Sequence, residues 1–459
     1  MTLALELATR SSRLGFEDLP PQAVRAAKVG ILDLVGVTLA GMVEPTTRIL
    51  AGVLASDGDS VVFGTTRRTS ALDAALINGT ASHALDFDDM NNTLGGHPTA
   101  PILPALFALA DQHPVDGRQF ITAYVAGFET ESKLGLAVNF HHYSKGWHPT
   151  ATLGVFGAAA AASRLLGLDA DRTAIALAIA ASMSSGLKAN FGTMTKPLHV
   201  GHCSRNGLFA ALLARDGFTA NPGALEHKQG FLEVFNGAGA YDVGPIAARW
   251  GAPFDIVSPG IALKQYPCCG STHPAIDVMI DLARRHDLKP AAVARIESWT
   301  HERRLQHTNR PDPQSELDAK FSVQYCLARA LVDRSVKIED FENDAVRDPN
   351  VRALLPRIHA ATYGTDRFPA DKHFGAEVAV TLTDGRIVSG KIEEPLGRSA
   401  QSPLPADRLR EKFVNCAARV LPRAVAPALA DQIEAIDTIA DLRQLTGLLV
   451  PPAPQRARA

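Results

Sequence analysis

His83-Ala-Leu-Asp86-Phe-Asp88-Asp89-Met-Asn-Asn-Thr-Leu-Gly-Gly-His97-Pro98 sets three carboxylates and two histidines in one short segment. An apolar helical pattern over 71–85 leads into it, and another follows from Pro101. Acids this close repel one another unless cations, hydrogen bonds or a bound molecule offset them. Gly95-Gly96-His97-Pro98 reads as a tight turn, so the segment is expected to be an ordered loop between buried helices. The plainer reading is a solvated acidic loop whose aspartates cap helices.

Outward from this loop the same pattern repeats. Pro20-Pro21 opens a helix with Val24, Ala27, Ile31, Leu34, Val35 and Thr38 on one face. Helices are expected over 102–110, 120–138, 151–166, 172–187 and 203–214, with a short strand or turn at Val61-Val62-Phe63-Gly64. The intervening stretches 139–150 and 188–199 are polar, hold His148, Lys196 and His199, and read as loops. Rigid helices carrying polar loops are a common way to build a site. The character changes near Lys264. Residues 293–301 alternate like a strand, and 377–382 and 386–392 flank Thr383-Asp384-Gly385, a hairpin signal. A helix is expected over 319–331, a linker at 397–405, helix again over 406–449, and a disordered tail over 451–459.

At 459 residues the chain exceeds what one hydrophobic core usually supports. The expected fold is mainly α: a helical domain from 1–267 and 399–459, with a smaller α+β domain, 268–398, inserted between. Apolar residues make up 46% and charged residues 20%, the balance of a globular protein. Lys plus Arg number 46 against 48 Asp plus Glu, which gives no bulk electrostatic case for nucleic acid or an anionic membrane as partner. The five cysteines show no zinc spacing, and their odd number suits a reducing compartment. No basic start precedes an apolar run at the N-terminus, and 151–163 is too short to span a bilayer; a cytoplasmic protein is expected.

Several chemical readings fall away one by one. Gly192-Thr-Met-Thr-Lys196-Pro197 lacks the Gly-Lys-Ser/Thr ending of a phosphate loop and follows no strand. Asp86-Phe-Asp88-Asp89 has no second acidic cluster to complete a magnesium diphosphate site. None of the histidines forms a His-x-x-x-His pair, so no zinc site is expected. Cys268-Cys269 reads as a small buried pair rather than a nucleophile with a fixed base. Lys196 and Lys264 keep unusual company for surface lysines: Asn190, Thr193, Thr195 and His199 surround the first, and Tyr266, Ser271, Thr272 and His273 the second. Two lysines among neutral donors suit a small polycarboxylate.

Taken in order, the motifs resemble those of the MmgE/PrpD family, which includes 2-methylcitrate dehydratase, cis-aconitate decarboxylase and iminodisuccinate epimerase. They are His83-x-x-Asp86-x-Asp88-Asp89 with Gly96-His97-Pro98, Trp147-His148-Pro149-Thr150, and Gly192-Thr-x-Thr-Lys196-Pro197-Leu-His199-x-Gly201. Lys264-x-Tyr-Pro267-x-Cys-Gly-x-Thr272-His273, Asn309-Arg310-Pro311 and Lys320-Phe-Ser322-x-Gln-Tyr325 continue the series over almost the whole chain. The resemblance implies a large all-helical domain built from both chain ends, an inserted α+β lid, a homodimer, and a site free of metal and cofactor between the two domains. It places Asp86, His97, His148, Lys196 and Lys264 in the pocket, with His273 as neighbour. Where the decarboxylase pattern has a histidine after Lys-x-Tyr/Phe-Pro, this chain has Cys269; where it has a tyrosine before Asn-Arg-Pro, it has His307 or Thr308. Those departures weigh against decarboxylation and leave dehydration and epimerisation open.

The expected function is that of a cofactor-independent lyase moving a proton next to a carboxylate of a di- or tricarboxylate. An iminodisuccinate-type epimerase is the alternative, and a non-catalytic carboxylate binder the second. His97 and His148 are the acid/base candidates, and Asp86 orients a histidine or acts as base. Lys264 and Lys196 receive substrate carboxylates, Lys264 also serving as a proton donor, and His273, His199 and Asp89 complete the substrate contacts.

Overall fold

The computed structural model describes residues 1–369, 372–399 and 401–451; the tail expected beyond Pro451 lies outside the described residues. The chain divides into two compact units, one comprising Met1–Leu263 and the residues from Ala406 on, the other Lys264–Pro405.

The first unit is helical because its apolar residues recur at helical spacing and its small residues let helices approach closely. Gly117–Val138 begins at an Asp116/Gln119 capping box and is buried along most of its length. The alanine run of Gly154–Leu165 packs against it, and a Cβ on Gly157 would collide with the Glu131 side chain. Ala71–His83 starts at Ser70, whose hydroxyl accepts from Asp73 N–H. It crosses Thr195–Arg215 at Gly79 and Gly201, where a Cβ on Gly201 would collide with the Leu76 carbonyl and Thr80. The helices run antiparallel, so the end of one, His83, meets the beginning of the other, Lys196. Among the described residues no single helix is long and apolar enough to cross a membrane.

Several boundaries differ from the sequence reading. Residues 195–199, read as loop, open a helix: Pro197 sits in the first turn, where its missing N–H costs nothing. Leu3–Arg13 is an unforeseen helix with Leu3, Ala4, Leu7, Ala8 and Ser11 buried. The expected 406–449 helix breaks into Ala406–Ala417, Ala426–Glu434 and Arg443–Gly447; Pro422 lies in the first gap, and Pro427 sits in the first turn of the second helix. This return is anchored by Lys412, whose ammonium lies 2.6 Å from Asp33. The unit is not purely helical, since Ser60–Val61 pairs antiparallel with Arg68–Thr69.

The second unit holds a four-stranded sheet in the order Ile358–Thr362, Val293–Thr300, Ala376–Leu382, Ile387–Ile392. The first pair is parallel and the others antiparallel, with Ser298 opposite Val378 and Val380 opposite Val388. The hairpin turns at Gly385, at φ +87°, a conformation glycine adopts freely. Strict alternation in Ala376–Leu382 turns Val378 and Val380 inward. They share a core with Ile276 and Met279 of the unforeseen helix His273–Arg285 and Leu327 of Val323–Asp333.

Candidate active site

The first unit gathers its polar groups where the 71–83 helix ends. Asp86 adopts a left-handed backbone, φ +53°, which aspartate tolerates better than most residues. The turn sends Asp88 back toward the helix, where its Oδ2 lies 2.8 Å from His83 Nδ1 and 3.1 Å from His97 Nδ1. His97 is fixed from behind: its backbone N–H donates to Thr150 Oγ1 at 3.1 Å, and Asn91 pairs with Gly96 across the loop. Asp86 Oδ1 then lies 2.7 Å from Lys196 Nζ and 3.8 Å from His97 Nε2. A continuous path runs Lys196, Asp86, His97, Asp88, His83.

Burial sets the protonation states. His83 is fully buried and pushed down to about 4, desolvation outweighing the attraction of Asp88. Burial alone would raise the Asp88 carboxyl, yet His83 and His97 beside it hold it well below the usual carboxylate range. Asp88 accepts N–H from His83 and its Oδ2 stands 3.1 Å from His97 Nδ1, so the negative charge there favours the proton of a neutral His97 on Nδ1 and leaves the Nε2 lone pair toward Asp86, 3.8 Å away. Desolvation also pushes His148 well below its ordinary value. Its Nδ1 is 3.3 Å from His199 Nδ1, and its ring meets Phe191 edge-on with centroids 4.8 Å apart. The rings of His97 and His148 lie 4.5 Å and 5.7 Å from that of His83.

Asp86, His97, His148, Lys196 and His199 of the sequence reading therefore stand together. Asp89 is turned elsewhere: its carboxylate caps Thr99 through the backbone N–H at 3.3 Å and the side-chain hydroxyl, which also bonds Tyr124. Desolvation raises Asp89 well above its ordinary value. His83 and Asp88 carried the sequence motif but received no role there. The signal was present, a histidine closing an apolar helix and a second acid two residues beyond Asp86.

Lys264 and His273 belong to the second unit. His273 opens the 273–285 helix, with Nε2 3.4 Å from the Cys268 carbonyl and its ring 5.1 Å from that of Tyr266. Tyr266 donates to Asp277 at 2.6 Å, which fixes the segment that follows Lys264. His307 Nε2 lies 3.1 Å from Ser271 Oγ, whereas the Thr308 hydroxyl bonds back to the Arg304 carbonyl. His307, not Thr308, thus faces the segment holding Cys269.

His83, Asp86, Asp88 and His97 each bring one donor atom within 4.8 Å of the others, close enough to hold a metal ion. The two carboxylates already have partners: Lys196 pairs with Asp86 and Asp88 accepts from His83, so a metal ion held by Asp86 would have to displace an ammonium group.

Residues 5–243 match the family model of the MmgE/PrpD N-terminal domain, and 266–438 that of the MmgE/PrpD C-terminal domain. The chain is 31% identical to cis-aconitate decarboxylase of Homo sapiens, over 97% of this chain and 94% of that protein. Identity to cis-aconitate decarboxylase of Aspergillus terreus is 28%, over 97% and 95% of the two chains. A mitochondrial 2-methylcitrate dehydratase of Yarrowia lipolytica is 22% identical, over 86% of this chain and 80% of the relative.

Proposed function

Because the chain belongs to the MmgE/PrpD family and is an enzyme of its lyase type, we propose that it cleaves a small di- or tricarboxylate of the cis-aconitate or 2-methylcitrate kind, without a cofactor. The observation that carries this reading is the path from partly exposed Lys196 and Asp86 through His97 to buried Asp88. It sets a cation for a carboxylate beside an imidazole lone pair.

Loss of water or carbon dioxide next to a carboxylate passes through carbanion-like charge. A fixed ammonium in a dry site stabilises such charge more than water does. Lys196 receives the substrate carboxylate in exchange for part of its contact with Asp86. His97 Nε2 takes the C–H proton when water is to leave, and His148 supplies a proton to the leaving hydroxide or to the carbanion left by carbon dioxide. Lys264 and His273 keep the substrate roles the family motif gives them. The partners in this reading are the polycarboxylate and a second copy of the chain, the latter checked by light scattering.

Epimerisation is the second reading, supported by two imidazoles, His97 and His148, flanking His83. One experiment separates the readings: proton NMR in deuterated water with 2-methylcitrate, cis-aconitate and an iminodisuccinate stereoisomer. Loss of water or carbon dioxide from one compound is expected. Deuterium uptake without change of skeleton would establish the epimerase. Silence across the panel from a folded protein would overturn both in favour of a carboxylate-binding protein.

A further inference from the structure

His148 and His199 raise a question the reaction alone does not answer. His148 is buried, and desolvation, His83, Lys196 and His199 all disfavour its charged form, so it rests as neutral imidazole. A neutral imidazole that surrenders a proton with nothing behind it becomes an imidazolate, a far stronger base than a buried site can hold. Such a ring works as a donor only if its other nitrogen gains a proton in the same event. The group facing that nitrogen is a second imidazole, His199, Nδ1 to Nδ1 at 3.3 Å.

The placement of His199 supports such a supply. It lies just past the first turn of the 195–215 helix and is partly exposed, unlike His148. One turn further along, His202 lies within 3.5 Å of the Oγ of exposed Ser185 and contacts the Asn206 amide. The partly exposed His199 thus stands between buried His148 and the surface, and burial pushes His199 and His202 below their ordinary values. The positively charged Lys196 on the same turn disfavours a resting charge on His199 and keeps the ring able both to accept and to donate.

We propose that His148 and His199 form a two-ring proton relay between the substrate and solvent. As the His148 Nε2–H proton passes to the substrate, the His199 Nδ1–H proton passes to His148 Nδ1, and solvent returns a proton to His199 Nε2. Both rings end neutral with their tautomers exchanged, and the substrate has gained one proton drawn from water. After product release the reverse shuttle, with His148 Nε2 taking a proton from water in the emptied pocket, restores the starting tautomers. His199 is then a positioning and relay residue acting through His148, rather than a contact for substrate.

The inference rests on the lyase reading, so the wild-type protein is assayed first on the same three compounds. His199→Ala is expected to lower kcat by about 100-fold, the scale of a lost general acid, with KM changed little. Added imidazole should restore turnover to His199→Ala but not to His199→Phe, whose ring fills the space, while circular dichroism reports a native fold for both. No wild-type turnover overturns the lyase reading and the relay with it. Wild-type turnover matched by His199→Ala overturns the relay alone. So does a loss that appears in KM, or one that imidazole does not restore, since either assigns His199 to substrate contact or to structure.

Discussion

Replacing Asp88 by Asn changes almost no volume and removes one charge, which makes it the sharpest probe of the site. The native carboxylate accepts an N–H from His83 at 2.8 Å and lies 3.1 Å from His97 Nδ1. Asparagine has one acceptor oxygen and a donor NH2, so it accepts from one ring and donates to the other. A ring that accepts at Nδ1 must carry its own proton on Nε2. For His97 that places a proton where the base needs a lone pair. A hydrogen bond to a charged group contributes about 1.5–3 kcal/mol. Losing one such bond from the transition state, about 2–3 kcal/mol, lowers kcat roughly 30- to 150-fold. KM should change little, because Lys196 carries the carboxylate contact and pairs with Asp86 rather than Asp88. Progress curves by NMR on the substrate found active, with thermal unfolding as the control, measure this. A folded Asp88→Asn protein within about threefold of wild-type kcat would refute the assigned tautomer and the role of His97.

Three further outcomes concern stability. Lys133 is buried between Glu129 and Asp255, 2.9 Å from each, so Lys133→Met leaves two uncompensated acids and should cost about 3–5 kcal/mol by denaturant unfolding; a loss below about 1 kcal/mol would contradict it. Burial and the nearby Asp89 push buried Glu131 well above the usual carboxylate range, so the native state keeps a proton that the unfolded chain releases above about pH 4.3. Wild-type stability is therefore lost as pH rises above about 4.3, and Glu131→Gln should lose less stability between about pH 5 and 7; parallel curves would show that the group ionises in place. Burial pushes His142 down to about 4 although Asn236 Oδ1, 2.9 Å from its Nδ1, favours its charged form. Below about pH 6.5 only the unfolded chain gains that proton, so acidification from pH 7.5 to 5 should cost wild type about 2 kcal/mol more than His142→Gln, read from urea midpoints.

What the sequence showed of the fold follows from periodicity. The 120–138 pattern and the Thr383-Asp384-Gly385 turn carried their own physics, and the structure has the Gly117–Val138 helix and a hairpin joining Ala376–Leu382 to Ile387–Ile392. The start of the 195–215 helix was hidden because Thr195-Lys196-Pro197 looks like a turn until its packing against 71–83 is known. Helix His273–Arg285 lay behind cysteine-, glycine- and proline-rich residues that mask its apolar face. At the site, Asp86, His97, His148 and Lys196 were legible as residue types near turns. The choice among Asp86, Asp88 and Asp89 was not, because the left-handed turn at Asp86 decides which carboxylate points inward and which caps Thr99.

The anchoring of the chain's return bears on how the protein is made. Asp33 is buried in the first long helix, and the ammonium that meets it, Lys412, is synthesised almost four hundred residues later. Lys412 also donates to the Phe87 carbonyl in the acidic loop, and Gly64 and Gly117 give their backbone N–H groups to Leu449 and Ile439. Until the last segment leaves the ribosome, a nascent chain carries this helical framework without those partners, with a carboxylate that prefers water. Residues 264–405, whose core is its own, emerge in the interval. The waiting helices are the stretch that a chaperone would have to shield, and a chain halted after 405 should be captured where the full-length protein is not.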